Sequence, residues 1–322
     1  MDADLAIIDA VQDCLVRLDV RNRHVSVGLS GGRDSVVLLD AMGRLRESMP
    51  FRLSAIHVHH GLSPNADGWA AFCDEYCAAM GVALTQVRVA LDRSAPGGLE
   101  ATARAARYQA FCTSGADFLA AAQHADDQAE TVLHQLLRGT GWKGLAGMGP
   151  QRVLREGLVL IRPLLGLTRT TIQEYAQVRK LQWIEDESNE DCRHTRNFIR
   201  HKLLPPVAAR FPHYRESLAR LGRHAAEADA MLAELAMIDL QWDGVHASAA
   251  ALDSLPLRRQ VNALYHWLQW QQLDGMTFPS QAQIVEWAGQ LFRQKPADRL
   301  HQAGGHDFII ERRHNRLELT RK

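Results

Sequence analysis

The chain has 322 residues, with 37 basic and 37 acidic side chains and 46% hydrophobic content, enough for one large or two ordinary domains, each with its own core. Only 23% of residues are charged and no run of eighteen apolar residues occurs, which excludes wholesale disorder and a membrane-spanning helix. The five cysteines (Cys14, Cys73, Cys77, Cys112, Cys192) form no CxxC pair, and the start Met1-Asp2-Ala3-Asp4 is acidic where a signal peptide would be basic, so the expected compartment is the cytoplasm.

In chain order, residues 24–30 read as a short apolar strand ending in glycines, and residues 34–49 carry helical periodicity. A second strand over 52–59 precedes a helix over 66–80 that stops at Gly81, a suitable C-cap. A third strand (83–90), a helix (99–112), a fourth strand (117–122) and a helix (126–137) follow. Residues 158–162 supply a fifth strand before Pro163, and Thr168 caps a helix reaching Arg179. Strands alternating with helices of this length predict βαβ units and a parallel five-stranded sheet flanked by helices. Ligands of such sheets sit beyond the carboxyl ends of the strands. After Pro205-Pro206 the pattern changes to a long amphipathic helix over about 214–235. Leu257, Val261, Leu264, Trp267 and Leu268 then recur at helical spacing, and Leu317 and Leu319 alternate as in an edge strand. The expected division is a catalytic domain over 1–208, a connecting helix over 209–240 and a smaller, mainly helical domain over 241–322. Trp242, Trp267, Trp270 and Trp287 are expected in its core or at an interface.

The sharpest motif is Ser30-Gly31-Gly32-Arg33-Asp34-Ser35, between a strand and a helix. It has neither the spacing and lysine of a Walker loop nor the three glycines of a dinucleotide fingerprint. Adjacent glycines let a backbone approach a charged ligand, and the helix N-terminus and two hydroxyls add donors for phosphate. Asp34 would repel phosphate unless Mg²⁺ bridged them, which makes it the candidate metal ligand. In His57-Val58-His59-His60-Gly61-Leu62, strand alternation sets His57 and His59 on the face opposite Val58 and His60, an awkward metal set; His60 suits the lining of a nucleotide pocket. Arg104 and Arg107 are neighbours on one helix face and suit a triphosphate or a departing pyrophosphate. His124, Asp127 and Thr131 share one side of the next helix, with Glu130 beside Asp127, a grouping able to position an amine and accept its proton. The glycine-rich segment Arg138–Leu145 can close over a ligand.

The motifs SGGRDS, HVHHGL, ATARAARY, HADDQAETVLHQLLRGTG, IRPLL and EDESNEDCRHTRNFIR occur here in order. Together they resemble the tRNA(Ile)-lysidine synthetase family of N-type PP-loop ATP pyrophosphatases, closely over residues 25–206 and more loosely beyond. SGGxDS marks only the superfamily; RGTGxxGL with DxSNxxxxxxRNxIR is far more specific. The resemblance implies an adenine-nucleotide alpha-hydrolase-like fold. It further implies ATP and Mg²⁺ as cofactors, and L-lysine and an isoleucine tRNA with a CAU anticodon as substrates. The family adenylates C2 of the wobble cytidine, releasing pyrophosphate, and lysine then displaces AMP to give lysidine. Ser30, Gly31, Gly32, Arg33, Asp34, Ser35 and His60 would then contact ATP, with Asp34, Arg104, Arg107, His124 and Asp127 catalytic. Asp127 and Glu130 would hold lysine, and Arg193, Arg196, Asn197, Arg200 and Lys202 would face tRNA. Dimers occur in the family, and no membrane partner is expected. Arg33 fills a variable position of its motif. The chain also ends where many members continue into a further C-terminal domain, which implies a smaller tRNA clamp.

Charge distribution fits this reading. The first 190 residues carry 19 basic and 23 acidic side chains, and the remaining 132 carry 18 and 14. The densest stretch, from Arg193 to Arg223, includes Arg210, Arg215 and Arg220 and opposes them with Glu216 alone; such a stripe suits RNA phosphates or a solvated helix face. The run Glu185–Asn189 beside it is expected to order a loop. Three other readings remain open at this point. A PP-loop tRNA thiolase would need paired reactive cysteines, a non-catalytic ATP-dependent RNA binder would need no base, and a small-molecule synthetase would have no use for the basic stretch.

Overall fold

Short apolar runs separated by helices mark the strands of the first half, and strands buried on both faces build a two-sided parallel sheet. The computed structural model describes residues 2–61, 63–91, 98–271, 273, 278–292, 301–305, 307–313 and 315–322, with backbone alone at 98–101, 188–189 and 301–302. Leu62 of the HVHHGL motif therefore lies outside the described residues, as do the side chains of Ser188 and Asn189. The chain divides into two compact units, Met1–Arg223 and His224–Lys322.

In the first unit the elements run α1 (Ala3–Arg17), β1 (His24–Gly28), α2 (Arg33–Leu45), β2 (Arg52–His59), α3 (Ala66–Ala79), β3 (Ala83–Arg88), α4 (Gly98–Phe111), β4 (Phe118–Ala120), α5 (Ala125–Leu137), α6 (Trp142–Leu145), β5 (Gln151–Arg155), β6 (Leu158–Ile161), α7 (Arg169–Val178), α8 (Thr195–Phe198) and α9 (Leu204–Arg210). The sheet order is β3-β2-β1-β4-β6-β5, in which the first five strands are parallel and β5 pairs antiparallel with β6. The five expected parallel strands are all present. The sixth, β5, and the opening helix α1 were not anticipated: β5 is exposed and polar at most positions, so it carries no alternation to read.

Val25, Val27, Leu53, Ala55, Phe118, Ala120 and Ile161 face a core shared with α1, α2, α3 and α7. Ile56, Leu119, Leu158 and Leu160 face a second core with Phe111 and Tyr108 of α4. Sequence cues at the helix ends hold. Gly81 follows α3 at φ +61, a left-handed conformation that glycine adopts without strain, and the Thr168 side chain accepts from Thr171 N at the start of α7.

Helix α10 (Tyr214–Leu240) begins in the first unit and ends in the second. The second unit continues with α11 (Ala249–Leu252), α12 (Leu257–Trp270), α13 (Gln281–Phe292) and strands β7 (His301–Gly304), β8 (Phe308–Arg313) and β9 (Arg316–Arg321). Its three strands form an antiparallel sheet β7-β8-β9, so the mainly helical expectation gains a sheet, with Leu317 and Leu319 on its edge strand. Trp267 and Trp287 are buried, and Trp242 and Trp270 are half-buried against the same core.

A polar network ties α1, α2 and α7 together. The Tyr175 hydroxyl donates to the buried Asp40 Oδ2 at 2.6 Å, and Arg44 bonds both Asp4 and Tyr175. Removing the hydroxyl leaves Asp40 without its shortest donor, and hydrogen bonds to charged groups are worth about 1.5–3 kcal/mol. Tyr175→Phe is expected to lower unfolding free energy by about that amount in urea denaturation, with the secondary-structure spectrum unchanged.

Candidate active site

Four segments following strand ends build the site, as the sheet topology dictates. After β1 the chain turns through Ser30, Gly31 and Gly32 into α2. Gly31 has φ +85, and a Cβ there would lie 2.7 Å from Ile184 Cδ1 and 3.3 Å from Cys73 Sγ, so only glycine fits. Gly32 bridges to Ile184, whose N–H donates to Gly31 O at 2.9 Å. The N-cap of α2 is Gly32 itself, with no side chain to take the first-turn N–H groups; these face the open end of the sheet, where an anion is favoured. Ser35 Oγ donates to Gly32 O at 2.8 Å and lies 3.1 Å from Ser30 Oγ, which stiffens the turn. Arg33 lies over its neighbour, donating from Nε to Asp34 Oδ1 at 3.1 Å.

After β4, His124 forms the N-cap of α5 and is fully buried, with neither ring nitrogen in a hydrogen bond. Three carboxylates surround it. Nε2 lies 3.5 Å from both Asp34 Oδ2 and Asp127 Oδ2, and Nδ1 lies 3.8 Å from Asp126 Oδ2. Burial acts to raise the Asp34 carboxyl, but the His124 interaction and the charges of Arg33 and Arg169 outweigh it and hold Asp34 below the ordinary carboxylate range. Thr131 Oγ1 donates back to Asp127 O at 2.7 Å, one turn along the same helix.

The structure pairs the basic segment with the acidic face of α5. Arg196 and Arg200 turn onto α5. Arg196 donates to Glu130 Oε2 and Asp127 Oδ1, both at 2.9 Å, and Arg200 donates to Glu130 Oε1 at 2.6 Å and Oε2 at 3.0 Å. Arg169 adds a third guanidinium on Glu130 Oε1 at 3.2 Å. Glu130 is 1% exposed, so it does not stand open to a lysine ammonium. Arg196 and Arg200 do not form a free phosphate surface either, because residues assigned separately to lysine and to RNA neutralise one another. Burial works against ionisation of Glu130, but Arg200 and Arg196 prevail and lower its pKa. Asp126 is held in the same way, accepting from Arg169 N at 2.8 Å and from Arg215 Nε at 2.6 Å. Arg193 remains exposed on Asp191, Asn197 Nδ2 donates to Asp191 O at 3.1 Å, and Lys202 is exposed.

The segment carrying these arginines is α8, one π-helical stretch (Ile199–Leu203) and α9. Pro205 and Pro206 have no N–H, so the carbonyls of His201 and Lys202 lose their α-helical donors and the turn widens. No apolar periodicity announces this helix. Arg169 escaped the sequence reading; Arg162 was noticed only within IRPLL and Arg215 only within the basic stretch, neither with a partner.

The remaining candidates separate. Arg104 and Arg107 are both exposed on α4 but do not act as a matched pair: Arg104 Nη2 donates to the Tyr108 hydroxyl at 3.3 Å, whereas the charge of Arg107 reaches His60. His57 is buried with Nδ1 2.8 Å from Leu29 O, holding the end of β1, and His59 is buried against Asp67. His60 is half-buried; burial first, then Arg107, lowers its pKa to about 4. The Arg138–Leu145 segment contains the short helix α6. Gln128 fixes the turn beyond it by accepting from Met148 N at 2.8 Å.

With this geometry in place, known proteins give it a context. A PP-loop domain model matches residues 6–207. The tRNA(Ile)-lysidine synthase of Actinobacillus pleuropneumoniae is 37% identical over 321 residues, covering 98% of this chain and 74% of that protein. The chain belongs to the PP-loop family of tRNA(Ile)-lysidine synthases. The enzyme of the same name from Burkholderia pseudomallei is 44% identical over 293 residues, covering 88% of this chain and 59% of its own length. That from Chromobacterium violaceum is 43% identical over 269 residues, with coverages of 82% and 61%. The chain thus spans about three fifths of the length of several curated relatives it matches. Among solved structures, the U34-tRNA thiolase NcsA from Methanococcus maripaludis with its 4Fe-4S cluster superposes with TM-score 0.59 at 19% identity, over 69% of this chain and 79% of that one. It shares the fold.

The site sets two expected outcomes. Glu130→Gln leaves Arg169, Arg196 and Arg200 without their shared charge. It is expected to cost about 2–3 kcal/mol in urea denaturation, short of the ~3–5 kcal/mol of a fully buried pair because the guanidiniums keep some water. His60 gives a pH signature. The unfolded chain protonates it near ~6.5, whereas the folded site does so only near 4, so the folded state loses ground as pH falls through that window. His60→Asn should flatten the corresponding part of the melting-temperature profile and leave the profile above pH 7 unchanged.

Proposed function

We propose that the chain joins L-lysine to C2 of the wobble cytidine in the CAU anticodon of an isoleucine tRNA. An adenylated base is the intermediate, and AMP and pyrophosphate are released. The observation that carries this is the convergence of Asp34, from the glycine loop, and Asp127, from α5, on the buried imidazole of His124. A nucleotide site and a proton-accepting site thereby share one side chain. The names of the relatives support the substrate assignment.

In the first step the N–H groups of the glycine loop hold the phosphates, Arg107 offsets charge on the departing pyrophosphate, and the uncharged His60 lines the nucleotide pocket. Among the described residues no group of three or more His, Cys, Asp or Glu is disposed to cage a metal. One carboxylate beside a phosphate loop nevertheless fits Mg²⁺, which keeps waters and takes substrate phosphate oxygens. Asp34 would hold it, and the ion would neutralise phosphate charge. In the second step the lysine nitrogen bonds to C2 as the bond from C2 to the adenylate oxygen breaks. The amine, with a free pKa near ~10.4, must first lose a proton; Asp127 orients it and His124 accepts that proton. Arg193 and Lys202, both exposed, and the half-buried Asn197 offer contacts to the anticodon loop, whose cytidine splays into the site. The expected setting is cytoplasmic, and no described helix is long and apolar enough to cross a membrane.

Thiolation is disfavoured by the thiols themselves. Burial raises Cys73 to about 12 and Cys77 to about 11, so neither supplies a thiolate at neutral pH.

The test is incorporation of labelled lysine into a CAU-anticodon isoleucine tRNA transcript with ATP and Mg²⁺, beside a methionine tRNA control. Label on the isoleucine tRNA alone is the expected result. Pyrophosphate release without label would show adenylation with a different nucleophile. Asp127→Ala should cut lysine transfer far more than tRNA-dependent pyrophosphate release, and equal loss of both would remove Asp127 from the second step.

A further inference from the structure

Tyr108 on α4 stands among three guanidiniums. Arg104 donates to its hydroxyl at 3.3 Å, with the guanidinium 5.3 Å from the ring centroid. Arg152, on the exposed edge strand β5, lies 5.5 Å from the same ring. Arg162, 5% exposed just past the end of β6, interacts electrostatically with Tyr108 and is fixed by Gln123 Oε1 at 2.8 Å and Gly149 O at 2.7 Å. The partners of these arginines are a phenol, an amide and backbone carbonyls; among the described residues no carboxylate joins them. Attraction to the ring holds Arg104 and Arg152 in place, yet it leaves the mutual repulsion of the three cations uncompensated. Burial and the charges of Arg104 and Arg152 accordingly depress the Arg162 pKa.

Permanent cations held side by side without an acid call for an anion from solution, and guanidinium forks match phosphate oxygens. The position agrees. Arg162 follows β6, which lies two strands from β1 in the sheet, about 10 Å from the glycine loop at ordinary strand spacing. Arg152 lies one strand further, at the exposed edge. ATP phosphates seated on the glycine loop are distant from that edge, whereas an RNA whose base enters the site must carry its backbone across the rim.

We propose that Arg104 and Arg152, stacked on Tyr108 and backed by Arg162, form a phosphate-binding site that takes a phosphodiester of the bound RNA. This rests on the reading that RNA is the substrate. A pyrophosphate would satisfy the same chemistry, so the experiment has two arms. The first follows binding of a labelled CAU anticodon stem-loop to the full chain by fluorescence anisotropy across a salt series, for the wild type, Arg152→Ala and Arg152→Glu. The second measures pyrophosphate inhibition of lysine incorporation by the same proteins.

The expected result is weaker RNA binding by Arg152→Ala, with the salt slope reduced by about 0.7 for one lost single-strand phosphate contact. Arg152→Glu should weaken binding further, and pyrophosphate inhibition should not change. Weakened pyrophosphate inhibition with intact RNA binding would keep the phosphate site but overturn RNA as its source. No change in either arm, with circular dichroism of both variants matching the wild type, would overturn the site altogether. Lysine incorporation by the wild type separates these outcomes from failure of the functional reading, since Arg152 variants can be silent in an enzyme that is fully active.

Discussion

Carboxylates on the first turns of α5 are the constraint on which the functional half of the molecule depends. Asp126, Asp127 and Glu130 are largely buried, and buried carboxylates are tolerated only when paired and hydrogen-bonded. Each is paired with an arginine from later in the chain: Arg169 at the start of α7, Arg196 and Arg200 in the π-containing helix, and Arg215 at the start of α10. Three separate segments therefore dock on one helix end, and the same helix end positions His124. Removing a charge from α5 would perturb both the surroundings of His124 and the placement of the segments docked there.

Acid sensitivity arises from the same pairs. Asp126 and Glu130 are held below their ordinary pKa values, because the arginines outweigh the burial that opposes ionisation. Folded carboxylates then stay charged at a pH where the unfolded chain has begun to protonate. Their contribution to stability is complete above the ordinary carboxylate range and fades as pH falls through the folded values. At neutral pH the docking is at full strength.

The sheet was legible because its signal is periodic. The short apolar runs of β1, β2, β4 and β6 and the caps at Gly81 and Thr168 are local, and local rules decide them. The phosphate loop was legible for a related reason: Gly31 is demanded by a positive φ and by the proximity of Ile184, and such a demand leaves a glycine in the sequence. What stayed hidden was pairing across distance. Arg196 lies 66 residues from Glu130, and nothing in either motif says whether an arginine faces RNA or faces an acid. Both groups were recognised as charged and relevant, and their mutual neutralisation emerges only once the chain is folded. The edge strand β5 was hidden differently, since its exposed residues carry no pattern.

This neutralisation has a consequence for ligand binding. On the proposed reading, a lysine ammonium approaching Asp127 meets a carboxylate that already holds Arg196, so it would gain only the difference between the old pairing and the new one. RNA phosphates approaching Arg196 or Arg200 meet the same exchange from the other side. The two exchanges are complementary. A phosphate that draws a guanidinium outward frees a carboxylate, and an ammonium that takes the carboxylate frees a guanidinium. Under that proposal each ligand would lower the cost of binding the other, which is the thermodynamic content of coupling between sites. On the proposed reading, in which an anionic RNA and a cationic amine meet at this site, the pre-paired cluster keeps the pocket electrically balanced without an unpaired buried charge.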